Sequence, residues 1–592
     1  MTGPEAQAGQ VAEPMTASAH ADAPAPLPRR RAVLRAAGAA AVLGAGAACA
    51  RIPTDSPVTS RVVDSRTPPG APYVRALPPA EDASAEEVAI GFVQAGVGSE
   101  DDFATARAYL TEEASRSWIP TAGITIYSGS QELQVEEVSE GRLTVVLHVV
   151  ALVDGNGVRS VLSGPVTRET EMRVEEVEGQ WRLSEVPDGI FLSEAAFETL
   201  YAPARLYFLD PLERHLVPDH RWFPLHGSAS AVLSALVAGP TAVLENAVTS
   251  RVPRTSGVSQ ATIGTGADGT VEVTVPAVVA NLPTATRIPA LSQIEASLRS
   301  MRALAGIRLV LDGQEVVLGE AERIERALPG HRPLAAGPTG VISLSDPGAG
   351  AEAPQLVPPF AELALTAPAI AQDGVLAAAL DPAGGVVLLA STDGSVPLRE
   401  AATGGAFIAP KLDDLGYVWT ATRSSAGALL ALSGRGPEHD AKVDAPWLAG
   451  REVRGLDIAA DATRMILLSS DQAGTRVDLC AVVRGPDGIP TSLTEPVQIR
   501  TLLDDITQAV WYDEVAIIVL GTDTGADEQR AQVVDFATGR EALPALASGI
   551  DRIAGSVVAE TVWAGTRDGE LLRSDGEGWT PVDIEGHDPA FY

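Results

Sequence analysis

The chain has 592 residues, 45% hydrophobic and 20% charged, a composition that excludes a disordered or fibrous protein and leaves room for three or four globular domains. Its formal net charge of −34 excludes nucleic acid and anionic lipid headgroups as direct electrostatic partners. With two cysteines, Cys49 and Cys480, it is not a disulfide-rich scaffold.

The first element is a leader. Residues 36–48 are apolar, but this run of thirteen falls short of the roughly 20 residues a stable membrane-crossing helix needs. Paired Arg30 and Arg31 precede it and the small residues Ala47 and Ala48 end it, the order of a secretory signal peptide over residues 1–48. Its removal takes away four arginines against Glu5, Glu13 and Asp22, which leaves the mature chain at −35. The stretch "RRAVLR" from Arg30 to Arg35 resembles the twin-arginine export signal, with Val33 at the aromatic position. Arginine-rich leaders also serve the general secretory route, so both routes stay open. Cys49 follows directly and resembles the cysteine of a bacterial lipobox, with Gly46 standing where leucine is usual. That resemblance implies a diacylglycerol on the Cys49 thiol and an N-acyl chain such as palmitate, with no other cofactor. Each buried CH₂ of such chains contributes about 0.8 kcal/mol, so two or three chains hold a domain at a membrane without a spanning helix.

Residues 49–82 contain "IPTDSPV" and are rich in Pro, Thr and Ser, which reads as an extended tether. An α+β domain is expected over residues 83–200. "ASAEEVAIGFVQAG" and "EDDFATARAYLTEEASRSW" carry apolar residues at helical spacing behind acidic starts, which predicts two helices. Alternating strands follow, with hairpin signals at Asp154-Gly155-Asn156 and Glu178-Gly179. The order resembles the roll of the nuclear-transport-factor-like superfamily, with another α+β arrangement as the alternative. Residues 201–320 form a second α+β unit. Its strand-turn-strand "ARLYFLDPLERHLVPDHRWFP" precedes the helix "SASAVLSALVAGPT", the strand "TVEVTVP", the helix "ALSQIEASLRSMRALAG" and the strand "IRLVLDG". "LYFLD", "LVAGP" and "IRLVLDG" resemble the GerMN domain of bacterial envelope proteins.

A linker is expected at residues 321–336 and an all-β domain at residues 337–592. Short apolar strands recur there with turn acids Asp381, Asp414, Asp461 and Asp513, at intervals of 33, 47 and 52 residues. A period of about 40 to 50 residues predicts the four-stranded blades of a β-propeller. Five or six blades fit, six when "TGVISLSD" supplies a first strand; a pair of β-sandwiches is the alternative.

No catalytic constellation emerges. "GTGADG", Gly264 to Gly269, matches G-x-G-x-x-G, but a strand follows where a phosphate-binding helix would have to begin, so it reads as a hairpin turn. His215, His220 and His226 cluster with Glu213 and Asp219 without helical ligand spacing, and no metal is expected. Asp413-Asp414 and Asp504-Asp505 read as blade-loop acids, and Cys480 as a small buried hydrophobe on a strand. Trp511, Tyr512, Trp563 and Trp579 are the aromatic candidates for partner binding, although blade cores also take isolated Trp residues.

Taken as a whole, the lipobox, the "IPTDSPV" tether, the α+β unit, the GerMN unit and the terminal propeller resemble the actinobacterial LpqB lipoprotein family, with Asp55-Ser56 where the family usually has Ser-Gly. The resemblance implies a non-enzymatic accessory of the MtrA/MtrB two-component system, lipid-anchored on the outer face of the cytoplasmic membrane. Its implied partner is the extracytoplasmic domain of an MtrB-like sensor histidine kinase. The other function considered is a binding module for a wall glycan or peptide.

Overall fold

The computed structural model describes residues 75–592, apart from 131–132, 227, 256–257, 259–260, 266–269, 302–305, 320–321, 346–352, 425–426, 524–528, 538, 544–545, 547–548 and 567. Arg30, Arg31, Cys49 and the tether as far as residue 74 lie outside the described residues.

The first domain opens with the helix Ala85–Ala95. Ser84 and Glu87 close its N-terminus as a reciprocal capping box, and Val88, Ala89, Phe92 and Val93 are its buried stripe. The single helix predicted next is two, Glu100–Arg107 and Glu112–Ser117. Two tertiary bonds break it: Leu183 N–H donates to Tyr109 O and Thr111 N–H to Leu183 O, while the Thr111 hydroxyl caps the second piece at Ala114 N–H. Strands Arg142–Asp154 and Arg159–Val177 form a long antiparallel hairpin, and Asp154 Oδ1 accepts from Asn156 and Val158 N–H at its turn. The next turn places Glu178 and Gly179 at positive φ, as a tight hairpin requires. Strand Gly123–Tyr127 pairs antiparallel with the first of these long strands and parallel with Ile190–Ser193.

The second domain is built around one antiparallel hairpin, Tyr201–Leu209 with Leu216–Pro224. Asp210 holds its turn, accepting from the N–H groups of Leu212, Arg214 and His215. A separate sheet pairs Val271–Thr274 parallel with Ile307–Leu311, joined by the crossover helix Thr284–Arg299. That helix starts ahead of the predicted Ala290 and buries Leu291, Ile294 and Leu298. It also binds the hairpin directly: Ser297 Oγ accepts from Tyr207 N–H and Gln293 Nε2 donates to Tyr207 O. Strands Ile263–Thr265 and Val271–Thr274 pair antiparallel, so "GTGADG" spans a hairpin, with residues 266–269 outside the described set.

Six blades complete the chain. The inner strands are His587–Phe591, Thr366–Ile370, Lys411–Leu412, Glu452–Ile458, Leu503–Asp513 and Ile550–Ser556, each packed beside the next in a closed ring. The last strand closes it by pairing with Pro333–Gly337, matching Leu334 to Ala590. The first propeller strand therefore lies inside the stretch expected to be linker; its burial against a strand more than 250 residues downstream leaves no local signal. The turn acids need a similar correction. Asp413 rather than Asp414 holds the turn after an inner strand, accepting from Leu415 and Tyr417 N–H, and Asp373 rather than Asp381 occupies the equivalent turn of the preceding blade.

Candidate interdomain site

The hairpin Tyr201–Pro224 meets both other domains, and its sequence shows why it can. Ala204, Leu206 and Phe208 face the second domain's core, while Arg205 and Tyr207 between them reach Glu514 of the propeller. Against the first domain, Trp222 N–H donates to Gly157 O at 2.8 Å. The Arg159 guanidinium lies 5.0 Å from the Trp222 ring centroid and 5.3 Å from that of Phe197. Burial weakens the proton affinity of Arg159.

Against the propeller, the central contact is Glu514, 2% exposed, in the turn after the inner strand Leu503–Asp513. Its Oε1 accepts from Arg205 Nη1 at 2.5 Å, the Tyr207 hydroxyl at 2.9 Å and Arg326 Nη1 at 3.0 Å. Burial, reinforced by the Glu514 charge, pushes the Tyr207 phenol up to about 12, which keeps it a donor. Three further contacts extend the seam. Arg214 Nη1 donates to Asp414 O, Thr494 Oγ1 donates to Val243 O, and Val217, Leu244 and Ala247 pack against Ala481. Leu216 N–H bonds Glu325 O, which lays the connecting segment beside the hairpin.

The propeller channel ends beneath this cap. A cavity of about 120 Å³ there is bounded by Ala327, Pro329, Gly330 and the C-terminal Tyr592, whose ring carries the Arg332 guanidinium at 4.4 Å. Within the channel Lys411, one of two lysines in the chain, lies 3.5 Å from Asp457. Beside the hairpin a larger cleft of about 430 Å³ opens between the crossover helix, the connecting segment and the blade turn at Asp535. His220 faces this cleft; burial lowers it to about 4, so its imidazole is neutral.

The structure separates the residues picked out from sequence. Trp511 is buried, with its N–H and indole Nε1–H donating to Asp457 and the Arg464 guanidinium 4.9 Å from its ring. Trp563 is buried among Ala335, Ile342 and Leu571, while Tyr512 and Trp579 are half-buried against blade cores. Of the four candidates, Trp511 and Trp563 thus belong to the interior, while Tyr512 and Trp579 keep part of their rings at the surface. Asp413 is fully buried and accepts from Arg484 Nη2 at 2.6 Å and Trp419 Nε1 at 2.8 Å. Asp504 and Asp505 are exposed on another blade, so the two acid pairs do not converge. His215 faces Asp414 at 3.7 Å, Asp219 is paired to buried Arg221, and Glu213 to Arg251. Among the described residues no group of three or more His, Cys, Asp and Glu side chains could hold a metal. Cys480 is buried, and burial pushes its thiol up, far from reactivity. Glu514, Arg205 and Arg326 went unnoticed in sequence because residues roughly 200 to 300 positions apart form the contact.

Comparison with known proteins follows this division. Residues 78–198 match the family described as "Lipoprotein LpqB, N-terminal domain", residues 205–317 the family described as "Sporulation and spore germination", and residues 345–591 the "Lipoprotein LpqB beta-propeller domain". The chain is 26% identical to lipoprotein LpqB of Streptomyces avermitilis, over 95% of this chain and 98% of that one. It is 28% identical to lipoprotein LpqB of Cutibacterium acnes, over 83% and 86% respectively. Among solved structures, TolB from Acinetobacter baumannii aligns with 68% of this chain and 90% of its own at a TM-score of 0.33 and 10% identity.

Proposed function

Matched by both LpqB domains and similar to LpqB proteins over most of its length, the chain belongs to the LpqB lipoprotein family, and from that premise we propose that it is a membrane-anchored extracytoplasmic adaptor. In this reading Cys49 carries the lipid, the Pro/Thr/Ser-rich segment sets the reach, and the folded body docks on the extracytoplasmic domain of an MtrB-like sensor histidine kinase at the outer face of the cytoplasmic membrane. Docking biases the kinase and thereby tunes two-component signalling in envelope homeostasis and division. Among the described residues no helix is long and apolar enough to cross a membrane, which is compatible with a lipid anchor.

The observation that carries the reading is the hairpin Tyr201–Pro224, which ties three domains into one body through Trp222, Glu514 and the segment at Glu325. A preorganised body of this kind presents a docking surface at low ordering cost. The glycan-binding alternative calls for aromatic platforms at a propeller mouth, and Trp511 and Trp563 are committed to the interior instead. The test is titration of the mature chain carrying Cys49→Ser against the purified kinase domain. Saturable one-to-one binding is the expected result, and binding to wall fragments in its place would reverse the assignment.

A further inference from the structure

The cleft beside the hairpin is lined by arginines, one of which keeps a buried N–H unanswered. Its walls carry Arg205, Arg299, Arg323 and Arg326, an unusual gathering in a chain of net charge −34. Each guanidinium offers five N–H donors and no acceptor. Facing them, Glu295 Oε1 is shared by Arg299 Nη2 at 2.9 Å and Arg323 Nη2 at 3.4 Å, and Glu514 Oε1 by Arg205 and Arg326. One oxygen of each carboxylate thus serves two guanidiniums, Arg299 placing both Nε and Nη2 on Glu295 Oε1. Arg323 Nε is buried without any hydrogen-bond partner. A buried, unanswered N–H in a cleft wall calls for an acceptor from outside the chain. Of the other acids in the lining, Glu325 is exposed, and Asp535 accepts from Ala537 N–H at 2.7 Å in its own turn and acts on the charge of His220. Neutral His220 adds no charge of either sign.

We propose that this cleft binds a small oxyanion with several acceptor atoms, held by the forked donors of Arg299 and Arg323. The size fits: about 430 Å³ falls within the roughly 300–1,000 Å³ of small-ligand pockets, and a seam between domains is a common place for one. Guanidinium suits the task because its planar fork meets two oxygens of a phosphate or carboxylate at once. The chemistry shared by a phosphoryl group and a di- or tricarboxylate is what the site reads. Because the crossover helix supplies Arg299 and the connecting segment Arg323, a bound anion also braces the two elements that hold the hairpin. This inference stands independently of the kinase-adaptor reading.

The test is calorimetric titration of the mature Cys49→Ser chain with inorganic phosphate, glycerol 3-phosphate and citrate, each against chloride at matched ionic strength. Saturable binding at one site is expected for at least one probe. Phosphate and glycerol phosphate binding together would identify a phosphoryl ligand, and citrate alone a carboxylate ligand. R299Q and R323Q should each weaken binding by about tenfold or more, as loss of a charge-assisted fork does. Arg323→Lys, which keeps the charge and loses the fork, should recover only part of the affinity. Should R323Q fail to fold, R299Q keeps the test open, because the Arg299 side chain is more than half exposed and outside the Glu514 contact. Saturable binding by none of the three probes, or binding that the folded variants leave unchanged, would overturn the proposal.

Discussion

Replacing Glu514 with alanine should loosen the hairpin from the propeller, and the size of the effect can be worked out from its contacts. The substitution leaves two guanidiniums and the buried Tyr207 hydroxyl without their acceptor. Removing one partner of a fully buried charge pair costs about 3–5 kcal/mol. Here Arg205 and Arg326 keep 30% and 45% of their side-chain surface in water, which lets solvent answer part of the loss. The discounted cost is about 2–3 kcal/mol, and it falls on separation of the two domains rather than on either core. At about 1.4 kcal/mol per factor of ten, opening of the seam becomes about 30- to 150-fold more frequent. Hydrogen exchange followed by mass spectrometry reads this directly in peptides covering Leu216–Pro224 and Arg323–Arg326, since Leu216 N–H bonds Glu325 O along the seam. Exchange should rise there while the blade strand Ala516–Asp523, whose residues are buried from Ala516 to Gly521, stays protected. Glu514→Gln, which retains an acceptor oxygen, should fall between. Unchanged seam exchange in Glu514→Ala would refute the claim that this carboxylate holds the domains together.

Three other outcomes follow from the same structure. His220 is lowered to about 4 in the folded protein from an ordinary 6.5, so its neutral form contributes stability above pH 6.5 that is lost as pH falls toward 4, about 3 kcal/mol in all; His220→Gln should flatten the acid limb of a urea-midpoint profile, and an unaltered limb would assign it to other groups. Asp413→Asn removes the charge partner of fully buried Arg484 and should lower propeller stability by about 3–5 kcal/mol, whereas Asp504→Asn on the surface should change the unfolding midpoint little. Deleting residues 587–592 removes the inner strand that closes the ring on Pro333–Gly337 and should leave a chain that binds hydrophobic dye and is readily proteolysed; a protease-resistant product would show that the blades do not need this closure.

Much of the fold was legible because it is local. The Asp154 and Glu178-Gly179 turns follow from residues that accept local N–H bonds or adopt positive φ, and the buried stripe of Thr284–Arg299 follows from helical spacing. The blade repeat was visible too, but its phase was not: Asp381 holds a turn through Ala383 and Val386 N–H, one strand later in its blade than the turn Asp373 holds through Val375 N–H, and beside Asp414 it is Asp413 that accepts from Tyr417 N–H. The long second helix failed for a tertiary reason, the bonds from Leu183 that Leu110 and its neighbours could not announce. Of the interdomain site, sequence offered His215 and His220 as a polar cluster, yet the hairpin that carries them works through Arg205 and Tyr207, whose partner Glu514 is more than 300 residues away. Trp511 and Trp563 sit in blade cores because apolar area makes a Trp equally useful to a core and to a docking surface, a choice that sequence alone does not make.

The central claim, an anchored adaptor of an envelope sensor, is tested most directly by crosslinking and affinity capture of the tagged protein from native membranes, with Cys49→Ser as the comparison. The account predicts that the wild type fractionates with the membrane and brings down a sensor histidine kinase, and that Cys49→Ser leaves the membrane fraction and loses most of that capture. Retention of Cys49→Ser at the membrane would contradict the lipid anchor, and capture of wall fragments or division proteins without a kinase would contradict the adaptor.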